Sequence, residues 1–369
     1  MIKKFLQNIF KKISYYLFLK IYGKIEKSIN SESDKRIFVS DSNFGNKLKY
    51  KVYKIERGRL YTDRIHDAAA ILDNKIIEGP SFQLRKNNNS IIEENIVFKK
   101  GTPRILSKLN GVVLSLLTGG GGNENYWHWL YDVLPRLEIC QKTTKLEEID
   151  YFLLPNLKKK FQQETLKELN FSNKKLLSSE KFRHIKTKEL IITDHPYILS
   201  NNAHEDAQKI PKWIIDWLKE KFLTSSKKPK REYPKNIYID RDESNSQNIS
   251  SRLAINEAEI RNYLIKRNFK LLKLHEMDFL NQVHIFNNAD CIVGLHGAGF
   301  ANLAFCKPKT KVIEIRPCRH LNTVYERISY MNDLNYQLIQ TKKIDENQKK
   351  LGDIYLPIKK LEQCIINFG

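Results

Sequence analysis

Cys291-Ile-Val-Gly-Leu-His-Gly-Ala-Gly-Phe-Ala-Asn-Leu-Ala-Phe-Cys306 is the stretch on which the reading of this chain turns. Cys291 to Val293 is the short apolar run of a buried strand. It enters a loop holding Gly294, His296, Gly297 and Gly299, and the apolar segment Phe300 to Phe305 could open a helix. Strand, glycine loop and helix start together offer backbone N–H groups and a positive helix end to an anion. Glycine allows φ > 0 there and lets a phosphate approach the backbone. A histidine in the loop adds a donor that can be charged. The plainer alternative is a tight turn beside a satisfied histidine. The spelling is neither a Walker A sequence nor a full G-x-G-x-x-G fingerprint.

Around this stretch strands and helices alternate. Asn236 to Asp240, Phe269 to Leu274 and Val312 to Ile315 read as strands, and Asn256 to Lys266 and Asp278 to Asn288 as helices. The polar, basic, proline-bearing run Thr224 to Arg231 is the best linker in the chain. Before it the alternation occurs once already. Gly111 to Thr118, Asp150 to Leu154 and Glu189 to Thr193 read as strands; Leu157 to Leu169 and Trp213 to Phe222 read as helices. From Arg36 to Lys99 the pattern is β-like, with a hairpin of Ala68–Leu72 and Ile76–Ile77 about the turn Asp73-Asn-Lys. Alternation of this kind favours parallel sheets covered by helices, in two α/β halves with a cleft between them.

The composition fits folded domains: 369 residues, 41% hydrophobic, with 17 Tyr and 18 Phe, which excludes a disordered chain. A net charge of +22 suggests an acidic partner, although a general basic surface is an equal explanation. The five cysteines form no C-x-x-C pair, which argues against a zinc knuckle or a disulfide framework and fits a reducing, cytoplasmic compartment. No run of 18 apolar residues suggests a membrane span, and the first residues lack the pattern of a cleaved signal peptide. Ile2, Phe5, Leu6, Ile9, Phe10, Ile13, Tyr16 and Leu17 share one helical face, and Lys3, Lys4, Lys11 and Lys12 supply the other side. Such a helix either lies on an anionic membrane or packs on its own domain.

Three groups of residues could carry chemistry. After Gly119–Gly122, the segment Asn123 to Glu138 looks helical, kinked or broken near Pro135, with Asn123 as its cap. His128 and Asp132 fall at i, i+4 on one face, as an oriented base or as two metal ligands lacking a third. Tyr126, Trp127 and Trp129 are either core or a shelf on which a sugar stacks. Arg241 follows directly on a strand end, where open α/β sheets bind ligands, and Arg252 comes eleven residues later. The alternative for Arg241 is a surface pair with Asp242 or Glu257.

Taken together, Asn125-Tyr-Trp-His-Trp-Leu-Tyr-Asp-Val-Leu-Pro-Arg136, Tyr238-Ile-Asp-Arg241 with Asn256-Glu257, Gln282 before Ala289-Asp290, Gly294-Leu-His-Gly-Ala-Gly-Phe-Ala-Asn302 and Val312-Ile-Glu-Ile315 resemble glycosyltransferase family 61. The resemblance spans about residues 110–320. Asp240 stands where the family often has Ser, and the downstream basic pair is reduced to Arg252-Leu253.

The resemblance implies an inverting glycosyltransferase of the GT-B type: α/β, with two Rossmann-like domains facing across a cleft and a small N-terminal β-rich and helical extension. The expected divisions are a basic amphipathic helix over 1–30, an acceptor-side domain over 31–224 that is β-rich to about 100, a nucleotide-sugar-binding domain over 233–345, and a helical tail over 346–369. The donor is a nucleotide-diphosphate sugar; the acceptor is a glycan or a lipid-linked glycan of surface or capsular polysaccharide synthesis. His128 or Asp132 is expected to be the base, and Arg241 to steady the leaving diphosphate. Arg252, Glu257, His296, Gly297, Ala298, Gly299, Asn302 and Glu314 are expected at the nucleotide sugar, Glu314 on its ribose. Asn125, Tyr126 and Trp127 are expected at the acceptor. Neither a metal nor another cofactor is expected, since Asp240-Arg-Asp242 lies where the family places its arginine. The expected location is cytoplasmic, peripheral on the inner membrane face. Two other classes stay open: a basic nucleic-acid-binding protein, which no recognition motif supports, and another nucleotide-dependent α/β enzyme such as a dehydrogenase.

Overall fold

The computed structural model describes residues 2–45, 47–63, 67–83, 92–117, 124–171, 174–197, 203–224, 232–240, 254–317, 322–341 and 354–366. The chain forms two compact units, Met1–Ala207 and Gln208–Gly369. The division therefore lies upstream of the basic 224–231 stretch expected as the linker.

The first unit starts with helix α1 (Ile2–Tyr22) and carries strands β1 (Lys27–Ile29), β2 (Ile37–Phe44), β3 (Leu48–Glu56), β4 (Arg59–Thr62), β5 (Asp67–Leu72), β6 (Lys75–Ile77), β7 (Phe82–Gln83), β8 (Ser107–Ser115), β9 (Tyr151–Leu154), β10 (Lys175–Ser178) and β11 (His184–Thr193). Helices α2 (Ile96–Lys100), α3 (Tyr126–His128), α4 (Pro135–Gln141), α5 (Lys160–Glu168) and α6 (Ala203–Ala207) lie between or after them. All these strands belong to one sheet. Its α/β half runs β10-β9-β8-β11, all parallel. The β-rich extension is not a separate layer: β3 and β4 both pair antiparallel with the free edge of β11. The hairpin of β5 and β6 closes on Asp73 and Asn74, both at positive φ (46° and 58°), the geometry that matches strand twist in a two-residue turn. β5 is buried along its whole length because apolar clusters cover both faces, one holding Ala68, Ala70 and Leu72, the other Ala69 and Ile71.

The second unit is a five-stranded parallel sheet in the order β13-β12-β14-β15-β16, from β12 (Asn236–Ile239), β13 (Lys270–Leu272), β14 (Cys291–Leu295), β15 (Lys311–Pro317) and β16 (Asn335–Thr341). Its helices are α7 (Lys212–Lys219), α8 (Glu257–Ile265), α9 (Phe279–Asn288), α10 (Val324–Met331) and α11 (Ile358–Ile366), with a 3₁₀ helix over Ala298–Phe305. The central β14 is buried at every position, as a strand covered on both faces must be. Tyr238, Val293, Ile313 and Ile339 share one core with Ile260 and Leu264 of α8 and Leu361 of α11, so the expected helical tail is part of this unit's packing. Elsewhere in the unit Phe222, in the π turn Glu220–Thr224 that follows α7, meets Phe279 and Phe305 edge-on at 4.7 and 6.4 Å, which ties that turn to α9 and the 3₁₀ helix. That packing places α7 in the second unit.

Strand order reverses direction once in each parallel sheet, between β8 and β11 and between β12 and β14. Open α/β sheets bind ligands beyond the carboxyl ends of strands at such points.

Candidate functional site

In the first unit β8 and β11 run side by side, with Ile192 opposite Ser115, so the chain leaves both strand ends at neighbouring points. The segment after β8 reaches α3, capped by Asn125, whose side-chain oxygen accepts from the His128 N–H at 3.3 Å. The helix then widens into a π turn over Trp129–Val133, closed by Leu134 N–H donating to the Trp129 carbonyl at 3.1 Å. Pro135 has no N–H to continue the ladder and begins α4 at its first position. Such wide turns are rare and recur at functional sites.

This turn carries a buried acid between two histidines. His128 Nδ1 lies 2.6 Å from Asp132 Oδ2; the His128 side chain is 28% exposed and that of Asp132 only 1%. His195, just past the end of β11, brings Nε2 to 3.7 Å from the same oxygen. Its Nδ1 accepts from the Tyr197 N–H at 3.4 Å, which puts the ring proton on Nε2, facing the carboxylate. Burial first, then the Asp132 charge, hold the Tyr197 pKa well above its usual value, so its hydroxyl keeps its proton.

Burial alone would raise the Asp132 pKa, but His128 above all, then His195, outweigh it and hold the carboxyl well below its usual range. Burial would lower His128; the Asp132 charge and hydrogen bond prevail, and its pKa is raised. His195 goes the other way: burial dominates the pull of Asp132, so this ring is neutral at pH 7. Beneath the array, Arg136 donates to the Leu117 carbonyl and to both oxygens of Thr193, clamping the ends of β8 and β11. Burial pushes its pKa down to about 10.

The residues expected at the acceptor also make contacts within the fold. Asn125, not Asn123, is seen to cap the helix; Asn123 lies outside the described residues. Trp127 is buried and stacks on Tyr131 at 4.0 Å, and Trp129 is fully buried with its N–H donating to Thr165 at 2.8 Å. Tyr126 meets Phe161 edge-on at 5.1 Å and keeps some exposure. A continuous aromatic shelf is therefore absent from these three residues.

In the second unit the loop after β14 holds a second pair. His296 Nδ1 bonds to Glu314, and the other Glu314 oxygen accepts from the Tyr336 hydroxyl of β16. Burial first, and Glu314 second, raise the Tyr336 pKa, so this hydroxyl keeps its proton. Glu314 lies inside β15 and is wholly buried. Glu314, expected at the ribose, sits behind His296, whose ring also leans on Tyr325 at 4.9 Å. Asn302 is equally buried and donates to Gln282 Oε1 at 3.0 Å, and Glu257 accepts from Tyr238 at 2.8 Å; both hold elements together. Asp240 is bound by Arg261 at 2.7 Å. Arg241 and Arg252 lie outside the described residues.

Partial exposure in this loop falls on Gly297, Ala298 and Gly299, which begin the 3₁₀ helix. The expected left-handed glycine turn is not found: Gly297 is extended, with φ 173°. Gly299 answers a different need, since a Cβ there would stand 2.9 Å from Leu274 Cδ1.

His195, Tyr197 and Tyr336 were not foreseen. His195 had a signal, a histidine two residues past the strand Glu189–Thr193; Tyr336 had none.

A family model described as Glycosyltransferase 61 matches residues 126–313, just over half of the chain. The match begins at the π-turn helix and takes in the loop of His296. No curated protein matches the chain.

Proposed function

The chain belongs to the glycosyltransferase 61 family, and from that premise we propose that it is an inverting GT-B-type enzyme moving a sugar from a nucleotide-diphosphate donor to a glycan or lipid-linked acceptor of surface polysaccharide synthesis. The observation that carries this reading is the His128–Asp132–His195 array at the ends of two parallel strands. Inversion needs a base that takes the acceptor hydroxyl proton as the oxygen attacks the anomeric carbon. His128 is the exposed member of the array, and Asp132 beneath it would stabilise the imidazolium that forms. Neutral His195, with Tyr197, orients that carboxylate from behind.

Donor binding is assigned to the second unit. The departing diphosphate would be met by N–H groups at Ala298 and Gly299, by His296 fixed on Glu314, and by Arg241 and Arg252. Such groups can neutralise a diphosphate without a metal, and metal independence is part of the proposal.

The test is turnover of UDP-, GDP-, CMP- and dTDP-sugars by the purified chain, with the anomeric configuration of the product read by NMR. Transfer with inversion, unchanged by EDTA, supports the reading. Retention of configuration removes the base assignment, and loss of activity in EDTA with recovery in manganese removes the metal-free one.

A further inference from the structure

α1 is apolar on two sides, and only one of them is used by the fold. On the inner side Phe18 stacks on Tyr22 at 5.7 Å, and Tyr22 meets the edge of His184 at 4.9 Å. The Tyr22 hydroxyl accepts from the Leu106 N–H at 2.9 Å, and Arg59 lies over its ring. Gly23 then ends the helix at φ +78°, where a Cβ would stand 2.3 Å from Asn74 Nδ2. On the outer side Leu6, Phe10, Ile13, Leu17 and Ile21 follow one another at helical spacing and are 54–72% exposed. This stripe is therefore not the one that packs α1 on its own unit.

The charge on the helix indicates what covers the stripe. Ile2–Tyr22 contains Lys3, Lys4, Lys11, Lys12 and Lys20 and no acidic residue. A second copy of the helix would set five cations against five with no counter-charge. Anionic lipid offers both complements: an acyl boundary for the stripe and phosphates for the ammonium groups. No helix among the described residues is long and apolar enough to cross a membrane, so α1, roughly 30 Å long at 1.5 Å per residue, would lie in the plane of the surface.

We propose that α1 docks the chain on an anionic bilayer surface through the Leu6–Phe10–Ile13–Leu17–Ile21 stripe. The experiment is co-sedimentation of the full chain with vesicles of phosphatidylglycerol and phosphatidylcholine, and with phosphatidylcholine alone, without any sugar substrate. The wild type is expected to bind the anionic vesicles, less as salt rises, and the neutral ones much more weakly. Phe10→Gln, Ile13→Gln and Leu17→Gln combined should weaken binding at least tenfold with unchanged circular dichroism and Tm, because all three positions are exposed and Gln is a good helix former. Lys12→Gln with Lys20→Gln, both exposed, should weaken it several-fold and flatten the salt dependence. Equal binding by the triple Gln variant, or no binding of the wild type to anionic vesicles, overturns the proposal. So does a wild-type dimer in sedimentation velocity that the triple Gln variant dissolves, which would make a second copy the occupant.

Discussion

The two histidine–carboxylate pairs use the same chemistry in opposite settings. His128 and Asp132 come from one widened helical turn; the acid is buried and the imidazole reaches solvent. His296 comes from the loop after β14 and Glu314 from the neighbouring β15, both are buried, and Tyr336 closes the carboxylate from β16. What is left partly exposed in the second unit is loop backbone, at Gly297 to Gly299. The difference teaches that a partly exposed ring on a buried acid still reaches solvent, whereas a buried ring on a buried acid is held as part of its loop.

The largest effect should come from His128→Ala. Removing a general base costs on the order of 10²–10⁴ in rate; because it also leaves buried Asp132 without its main partner, turnover is to be read in a variant whose circular dichroism shows it folded. Near-normal turnover in a folded variant would break the comparison at its root. The pH profile sharpens it. As the proposed base His128 has to be neutral, and its pKa is raised, so kcat/KM should rise with pH through a limb above pH 6.5, its ordinary value. Asp132→Asn removes the charge that raises it while burial remains, so the limb should move to lower pH as the rate falls. Stability follows the linked sign: the contribution of raised His128 is full below pH 6.5 and is lost as pH climbs through its folded pKa. That of depressed Asp132 is present above 3.8 and lost as pH falls through its folded value.

Glu314→Gln tests the other pair. It removes the charge held by His296 and Tyr336 and should lower stability by about 1–3 kcal/mol, read as a lower urea midpoint. A variant with wild-type stability but lost nucleotide affinity would instead return Glu314 to direct ligand contact. Within the loop, two glycines should separate. Gly299→Val meets Leu274 at close range and should cost about 1–3 kcal/mol by overpacking. Gly297→Val sits on extended backbone that valine adopts readily, so it should keep stability and weaken nucleotide binding in calorimetry. The smallest change belongs to Asn125→Ala, about 1 kcal/mol for a lost cap. An equal effect on stability from Asn125→Asp would show that the cap geometry is not what this residue supplies.

Much of this was legible in the chain itself. Apolar runs of three to five residues marked β8, β9, β12 and β14, because a strand covered on both faces is apolar for most of its length. The i, i+4 spacing of His128 and Asp132 already placed them on one face, since helical periodicity is local. The motifs, in their order, already pointed to the family. Sequence did not disclose that Glu314 faces inward to His296, that Asn302 and Glu257 serve as ties, or that Gly299 is glycine for want of room. Nor did it bring His195 to Asp132, two residues far apart in the chain that meet because β11 lies beside β8. Those outcomes depend on which strands become neighbours and which face each side chain takes, and sheet order is fixed by the packing of the whole core rather than by any window of residues.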